Sequence, residues 1–264
     1  VEISAVKFQD RHEAMLEMLI GFLIAAGVGL TGVGAGSLLA PILMLFFRVP
    51  PAEAVGTALA FSAVIKLTIA PVYVIRKQIH YPTLLRLCCG GVPGVLAGFV
   101  AMDFLDAKHH QGALYLTIGG LVAGMAIYNL VRTLGTKAGT RVQRDRSRWL
   151  PLIGAGIGSE VGFSSAGAGA LGSVALLNLT PLTPARVVGT DVLFGLALSL
   201  VGGGLHLTAG HFQSVILVRL VMGGIGGALI GANLLTVLPS RPLRVALSAW
   251  LTFMGAQLCW QAIS

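Results

Sequence analysis

Three ionisable side chains, Lys66, Glu160 and Asp191, stand in stretches that are otherwise almost free of charge. At the centre of a bilayer each costs about 3 kcal/mol on insertion scales, so each calls for a partner or a job. The structural reading is an internal ion pair or a water-facing group. The functional reading is a charge-paired Lys66 with an acidic partner, Asp191 or Glu160, that carries a proton. Near these charges lie residues of the kinds that hold oxyanions: Thr31, Gly34, Gly36, Ser37 and Thr57, then Ser164, Ser165, Gly167, Gly169 and Thr190. A hydroxyl donates a hydrogen bond to an anion's oxygen, and a glycine lets backbone N–H groups come close. Any one of these hydroxyls taken alone more often bonds its own helix backbone.

What lifts the set above chance is that the chain matches itself. Residues 29–98 laid on 162–231, a constant shift of 133 without a gap, give 21 identities in 70 pairs. Gly34-Ala35-Gly36 meets Gly167-Ala168-Gly169, and Val55-Gly56-Thr57 meets Val188-Gly189-Thr190. Arg86, Gly90, Gly91, Gly94 and Gly98 meet Arg219, Gly223, Gly224, Gly227 and Gly231. Thr57 and Thr190 therefore recur in phase, and Thr31 corresponds to Ser164. Two related membrane halves around a shared centre is the build of a secondary transporter.

The elements that must position these residues are apolar helices. Hydrophobic residues make up 55% of the chain and charged residues 11%, against roughly 25% charged in a soluble domain. Mean hydropathy is +0.86. The composition predicts an all-α, polytopic helical membrane protein; β-barrel strands would be short and alternating. Eight hydrophobic segments run at about 15–47, 52–75, 82–102, 111–131, 149–179, 185–209, 213–237 and 243–263. Four fall in an N-terminal repeat, 1–131, and four in a C-terminal repeat, 149–264. Between them lies a basic linker, 132–148, carrying six of the 18 Lys and Arg residues. In a membrane protein such a cluster marks the cytoplasmic side, so the net charge of +8 does not point to nucleic acid.

The first segment of each half is about 30 residues long with a glycine-rich middle, Gly27 to Gly36 and Gly154 to Gly169. Glycine at that density disfavours a continuous helix. The expectation is two half-helices meeting near the midplane, with broken backbone lining a cavity. The half-helices starting near Ser37 and Ala170 then aim positive dipole ends and free N–H groups at an anion site. Gly27-Val-Gly29-Leu-Thr-Gly32 also fits a dinucleotide pattern, but a transmembrane run surrounds it and no strand precedes it. Cys88, Cys89 and Cys259 read as small buried apolar residues, not a disulfide framework. His80, His206 and His211 read as solvated groups near helix ends. The polar, mixed-charge first 15 residues read as an interfacial helix and not a signal peptide.

The pattern Gly-x-Gly-x-Gly-Ser/Ala-Leu, then a short loop, then Pro-Ala-x-x-Val-Gly-Thr, present in both halves, resembles the TauE/SafE family of sulfite and organosulfonate transporters. The resemblance runs over about residues 16–263. It implies a bacterial inner-membrane permease for a small sulfur-containing anion, needing no cofactor or metal. Two features depart from the family's commonest pattern. Gly-Thr is followed by Ala58 and Asp191 where Ser is usual, and Lys66 sits in a segment that is normally uncharged.

Charge depth bears on topology. Lys66 lies roughly 20 Å along its helix from Ala52, and Asp191 roughly 10 Å along its own from Ala185, at 1.5 Å per residue. These depths coincide only if the two helices run in opposite directions, which favours an inverted repeat. If the broken segments re-enter, Arg76, Lys77, the linker, Arg186, Arg241 and Arg244 all face the cytoplasm. If they cross, the repeats are parallel. The hydropathy accommodates six to eight crossings. Alternating-access transport is the leading reading. A channel on the same scaffold needs a continuous polar path that few residues supply. An intramembrane enzyme needs a nucleophile and base, for which Ser164 near Glu160 is the one local pair.

Overall fold

A computed structural model of the chain describes residues 2–31, 34–107, 111–135, 146–166, 170–234 and 240–262. Those residues form ten α-helices and one short 3-10 turn, with no strand among them. The helices are α1 (Glu2–Thr31), α2 (Ala35–Phe46), α3 (Pro51–Ile75), α4 (Tyr81–Ala107), α5 (Gln111–Gly135), α6 (Leu150–Ser164), α7 (Ala170–Leu179), α8 (Pro184–Thr208), α9 (Ser214–Leu234) and α10 (Ser240–Gln261). Each half thus has five helices where the hydropathy shows four segments, because each first segment is divided. Pro51 and Pro184 open α3 and α8, where a missing N–H and a fixed φ suit the first turn. These two helices cover the same span under the shift of 133, since 51 and 75 map to 184 and 208. Five helices among the described residues, α3, α4, α5, α8 and α9, are long and apolar enough to cross a bilayer.

Side-chain contacts fix the direction of the rest. At one end of the bundle, Arg86 near the start of α4 donates to Ser147 Oγ at 2.6 Å, just before α6. The His80 N–H, after α3, donates to Thr190 Oγ1 of α8 at 2.9 Å. At the other end, Arg219 of α9 pairs with Glu17 of α1 at 3.2 Å. The Gln213 N–H donates to Thr57 Oγ1 of α3 at 2.9 Å. His211 Nε2 lies 3.9 Å from Asp103 Oδ1, near the end of α4. So α1 enters the bundle from the same end at which α3 begins, and the intervening α2 runs back towards it. Likewise α6 and α8 both begin at the first end, and α7 returns there. At 1.5 Å per residue α2 is roughly 18 Å long and α7 roughly 15 Å, too short for a hydrocarbon core of about 30 Å. Each divided segment is thus a pair of helices that re-enters towards the end of the bundle from which it came.

The halves interlock through glycines. A Cβ on Gly90 or Gly94 of α4 would overlap the carbonyls of Pro151 or Ala155 in α6, and one on Gly98 that of Ser159. The same seam joins α9 to α1: a Cβ on Gly223 would overlap the Met18 carbonyl, one on Gly227 that of Phe22, and one on Gly231 would lie 2.5 Å from that of Ala26. Every pair in the second seam is a pair in the first displaced by 133. Backbones meet this closely only where no side chain intervenes. Across the centre, numbering runs in opposite senses: Gly202 of α8 packs on Leu59 of α3, and Ser199 on Ser62. α3 and α8 are therefore antiparallel. So are α5 and α10, where Gly119 faces Gly255 and Leu116 faces Cys259.

Candidate functional site

Where the two re-entrant pairs turn, they touch. A Cβ on Gly36, in the first turn of α2, would overlap Ser165 Oγ and lie 2.6 Å from the Ser165 carbonyl. Ser165 ends α6 with φ of +60°, the left-handed region, and its N–H bonds the Val161 carbonyl. A residue with a Cβ pays about 1–2 kcal/mol there. Ser164 closes the turn by donating to the Glu160 carbonyl at 3.0 Å and accepting from the Ala166 N–H at 3.3 Å. On the facing side, Gly34 caps α2 without any side-chain hydrogen bond, and Ser37 Oγ donates to the Gly34 carbonyl at 2.7 Å. The first N–H groups of a helix have no partner inside it. Beside them Ser165 Oγ, 3% exposed as a residue, has no hydrogen-bond partner among the described residues.

Next to this junction is a small cavity of about 20 Å³ bounded by Ser37, Ala166, Met125, Asn129, Ser248 and Leu251. That is room for about one water, so the junction is shut in this conformation. Asn129 of α5 and Ser248 of α10 bring polar groups to it that sequence reasoning missed. In sequence each is one of several polar residues in its helix, with nothing to single it out. A signal existed only in pairing α5 with α10, which needs the tertiary fold.

Helical spacing places Ser62 on the Lys66 face, but sequence reading passed over Ser173 and Ser199 beside the buried charges. Lys66, 3% exposed, donates from Nζ to Ser199 Oγ at 3.4 Å, and Ser199 donates to Ser62 Oγ at 3.2 Å. Lys66 and Ser199 are themselves 133 apart. Asp191, 2% exposed, accepts from Ser173 Oγ at 2.5 Å, and its other oxygen fills the space a Cβ on Gly172 would need. The Asp191 charge acts on Lys66. In the other half the positions of Gly172, Ser173 and Asp191 are held by Leu39, Ala40 and Ala58, so this polar nest occurs once.

The remaining sequence candidates separate. Thr57 and Thr190 are fully buried, and their Oγ atoms accept the Gln213 and His80 N–H groups at opposite ends of the bundle. Their in-phase recurrence marks symmetric braces between the halves. Glu160 lies on the wall of an open groove between α4, α5 and α6. Ser164 meets Glu160 through the main-chain carbonyl, not the carboxylate. Thr31 ends α1, but its side chain lies outside the described residues, as do Gly167 and Gly169. His206 is fully buried, its Nε2 3.3 Å from the Gly162 carbonyl, which corrects the solvated reading for that residue. The three cysteines are free, with Cys89 exposed on the bundle's outer surface and Cys88 and Cys259 partly buried. No cluster of three or more metal-ligating side chains occurs among the described residues.

Long apolar helices with short re-entrant pairs meeting inside the bundle define a multi-pass membrane transporter. The chain belongs to the sulfite exporter TauE/SafE family, whose model matches residues 17–258. It is 27% identical over 252 residues to the probable membrane transporter protein YjnA of Bacillus subtilis, covering 91% of this chain and 98% of that one. It is 28% identical to the probable membrane transporter protein YdhB of the same organism, covering 88% and 95%. The probable membrane transporter protein YunE is 25% identical, covering 91% and 96%. No solved structure matches the chain significantly.

Proposed function

We propose that this transporter moves a small sulfur-containing anion, sulfite or an organosulfonate, by alternating access around the junction of its two re-entrant tips. The observation that carries the reading is the pairing there of the uncapped start of α2 with the buried, partnerless Ser165 hydroxyl. Helix-start N–H groups and a free hydroxyl are complementary to an oxyanion. Gly34, Gly36, Ser37, Ser164 and Ser165 line this site, and Asn129 and Ser248 close it; Gly167 and Gly169 are assigned to it only by their match with Gly34 and Gly36 in the sequence repeat. Thr57 and Thr190 hold the surrounding helices in place. The shut cavity fits a conformation between the two open ones.

The halves are read as an inverted repeat, which the antiparallel α3–α8 and α5–α10 pairs support. The end carrying Arg76, Lys77, Arg86, Arg146, Arg148 and Arg186 then faces the cytoplasm, with the basic linker. The end carrying Glu17, Glu53, Asp103 and Asp106 faces outward. In a variant lacking Cys88, Cys89 and Cys259, a cysteine at Arg148 should react with an impermeant maleimide only from the cytoplasmic side, and one at Asp103 only from outside. Labelling of both from one side would refute the inverted arrangement.

Purified protein in proteoliposomes should take up radiolabelled sulfite or a simple alkylsulfonate with saturation. Ser165→Ala should raise KM roughly 10- to 100-fold, since a hydrogen bond to a charged group is worth about 1.5–3 kcal/mol. Flux that stays linear with concentration would favour a channel, and an unchanged KM would remove Ser165 from the site.

A further inference from the structure

We infer that the two acidic residues within the membrane have different jobs: Glu160 is the proton carrier, and Asp191 is a fixed counter-charge. The assignment rests on the transport reading above and goes beyond it in naming the proton site and its path. Asp191 is shut in on every side. It holds the Ser173 hydroxyl, fills the gap over Gly172, and acts on the buried Lys66 charge. A carboxylate so placed has no route for a proton and a standing electrostatic reason to stay ionised.

Glu160 is the opposite case. It lines a groove of about 610 Å³ whose other walls are Ala97, Gly98 and Ala101 of α4, one face of α5 (Thr117, Gly120, Leu121, Gly124, Met125), and Gly156, Ser159 and Phe163 of α6, with Leu171 at the start of α7. No other ionisable group faces the groove, and no cation lies within 4 Å of Glu160 among the described residues. Its lining reaches Ala101 on α4 and Thr117 on α5, on the side of the acidic end of the bundle. In the other half the matching position is Gly27, so there is one such carboxyl.

Two links tie Glu160 to the anion site. Its main-chain carbonyl takes the Ser164 hydroxyl that also holds the Ala166 N–H, so the carboxyl sits one helical turn from the tip on the same backbone. And Met125 is a wall of both the groove and the small central cavity, the one side chain common to the two. A flexible thioether between them is a movable partition. A proton from water in the groove binds a Glu160 carboxyl oxygen. The neutral side chain then lets the anion's negative charge occupy the tip, and both leave together when the partition and the tip open to the other side.

The test reads the carboxyl directly and does not need the transported anion. Dicyclohexylcarbodiimide, an apolar reagent for protonated carboxyls, is applied to the full-length protein in liposomes, and the modified residue is located by mass spectrometry. Labelling is expected at Glu160 and not at Asp191, falling at least tenfold from mildly acidic to alkaline buffer. Gly124→Leu should slow it severalfold: Gly124 lines the groove and a Cβ there meets nothing within 4 Å, so the longer side chain grows into the groove. Labelling at Asp191 in place of Glu160, or a rate indifferent to pH or to Gly124→Leu, overturns the assignment. In parallel, sulfite flux in Glu160→Gln should lose its response to an imposed pH gradient, while a full response would also overturn it. If the wild-type protein labels as expected but carries no sulfur anion, the substrate reading fails and the proton site stands.

Discussion

Gly36→Ala should reduce transport by about 100-fold. A single methyl is enough because the site has no slack: the added carbon would overlap Ser165 Oγ and come within 2.6 Å of a main-chain carbonyl. The Ser165 side chain can rotate, but its carbonyl moves only with the tip. Separating the tips by even 1 Å misplaces every group aimed at the anion, a displacement that costs about two orders of magnitude where geometry sets the rate. Gly204→Ala is the matched control. It lies in α8 with nothing within 4 Å of the new carbon, and alanine there gains up to about 1 kcal/mol of helix propensity. The variant should transport normally. Membrane yield and thermal stability of Gly36→Ala should remain measurable, so that loss of flux is read on folded protein. Normal flux in Gly36→Ala would remove the tip junction from the transport path.

The second large effect concerns stability. Lys66→Met should destabilise the protein by about 3–5 kcal/mol, the usual result of deleting one member of a buried charge pair. The loss arises less from the missing attraction than from an Asp191 carboxylate left in a low-dielectric interior. Asp191→Asn combined with Lys66→Met should therefore recover most of the lost melting temperature, because the asparagine can still accept from Ser173 and no charge remains. Thermal unfolding in detergent of the two single variants and the double variant measures this. If the double variant is as unstable as the sum of the singles, the two charges do not act on each other energetically.

The self-match at 133 residues was legible because interlocking halves preserve their glycines: each is a place where another backbone passes. The breaks were legible more loosely, since clustered glycines weaken a helix; α6 and α9 nonetheless run as helices through several glycines each. The direction of the chain beyond each break was not. Gly34 and Ser165 specify a turn, but whether α2 continues or doubles back is decided by where α1 and α3 find partners, at Arg219 and Gln213, far along the chain. Thr57 and Thr190 show the limit of reading function from recurrence. They repeat because symmetric braces repeat, each taking an N–H from the other half. The non-recurring residues Ser173, Asp191 and Glu160 carry more of the candidate chemistry, and a self-comparison is blind to them. Asn129 and Ser248 became visible only when α5 and α10 were seen to close on Ser37.

The pairing of α1 with α9 also sets a clock. Glu17 and Arg219 are 202 positions apart, and chains are synthesised at roughly 5–20 residues per second. The carboxylate of Glu17 and the face of α1 that ends against Gly223 and Gly227 therefore wait roughly 10–40 s for their partners to be made. During that interval the first hairpin stands in lipid without its seam. The last helices to be made do not extend a finished core; they complete the first one.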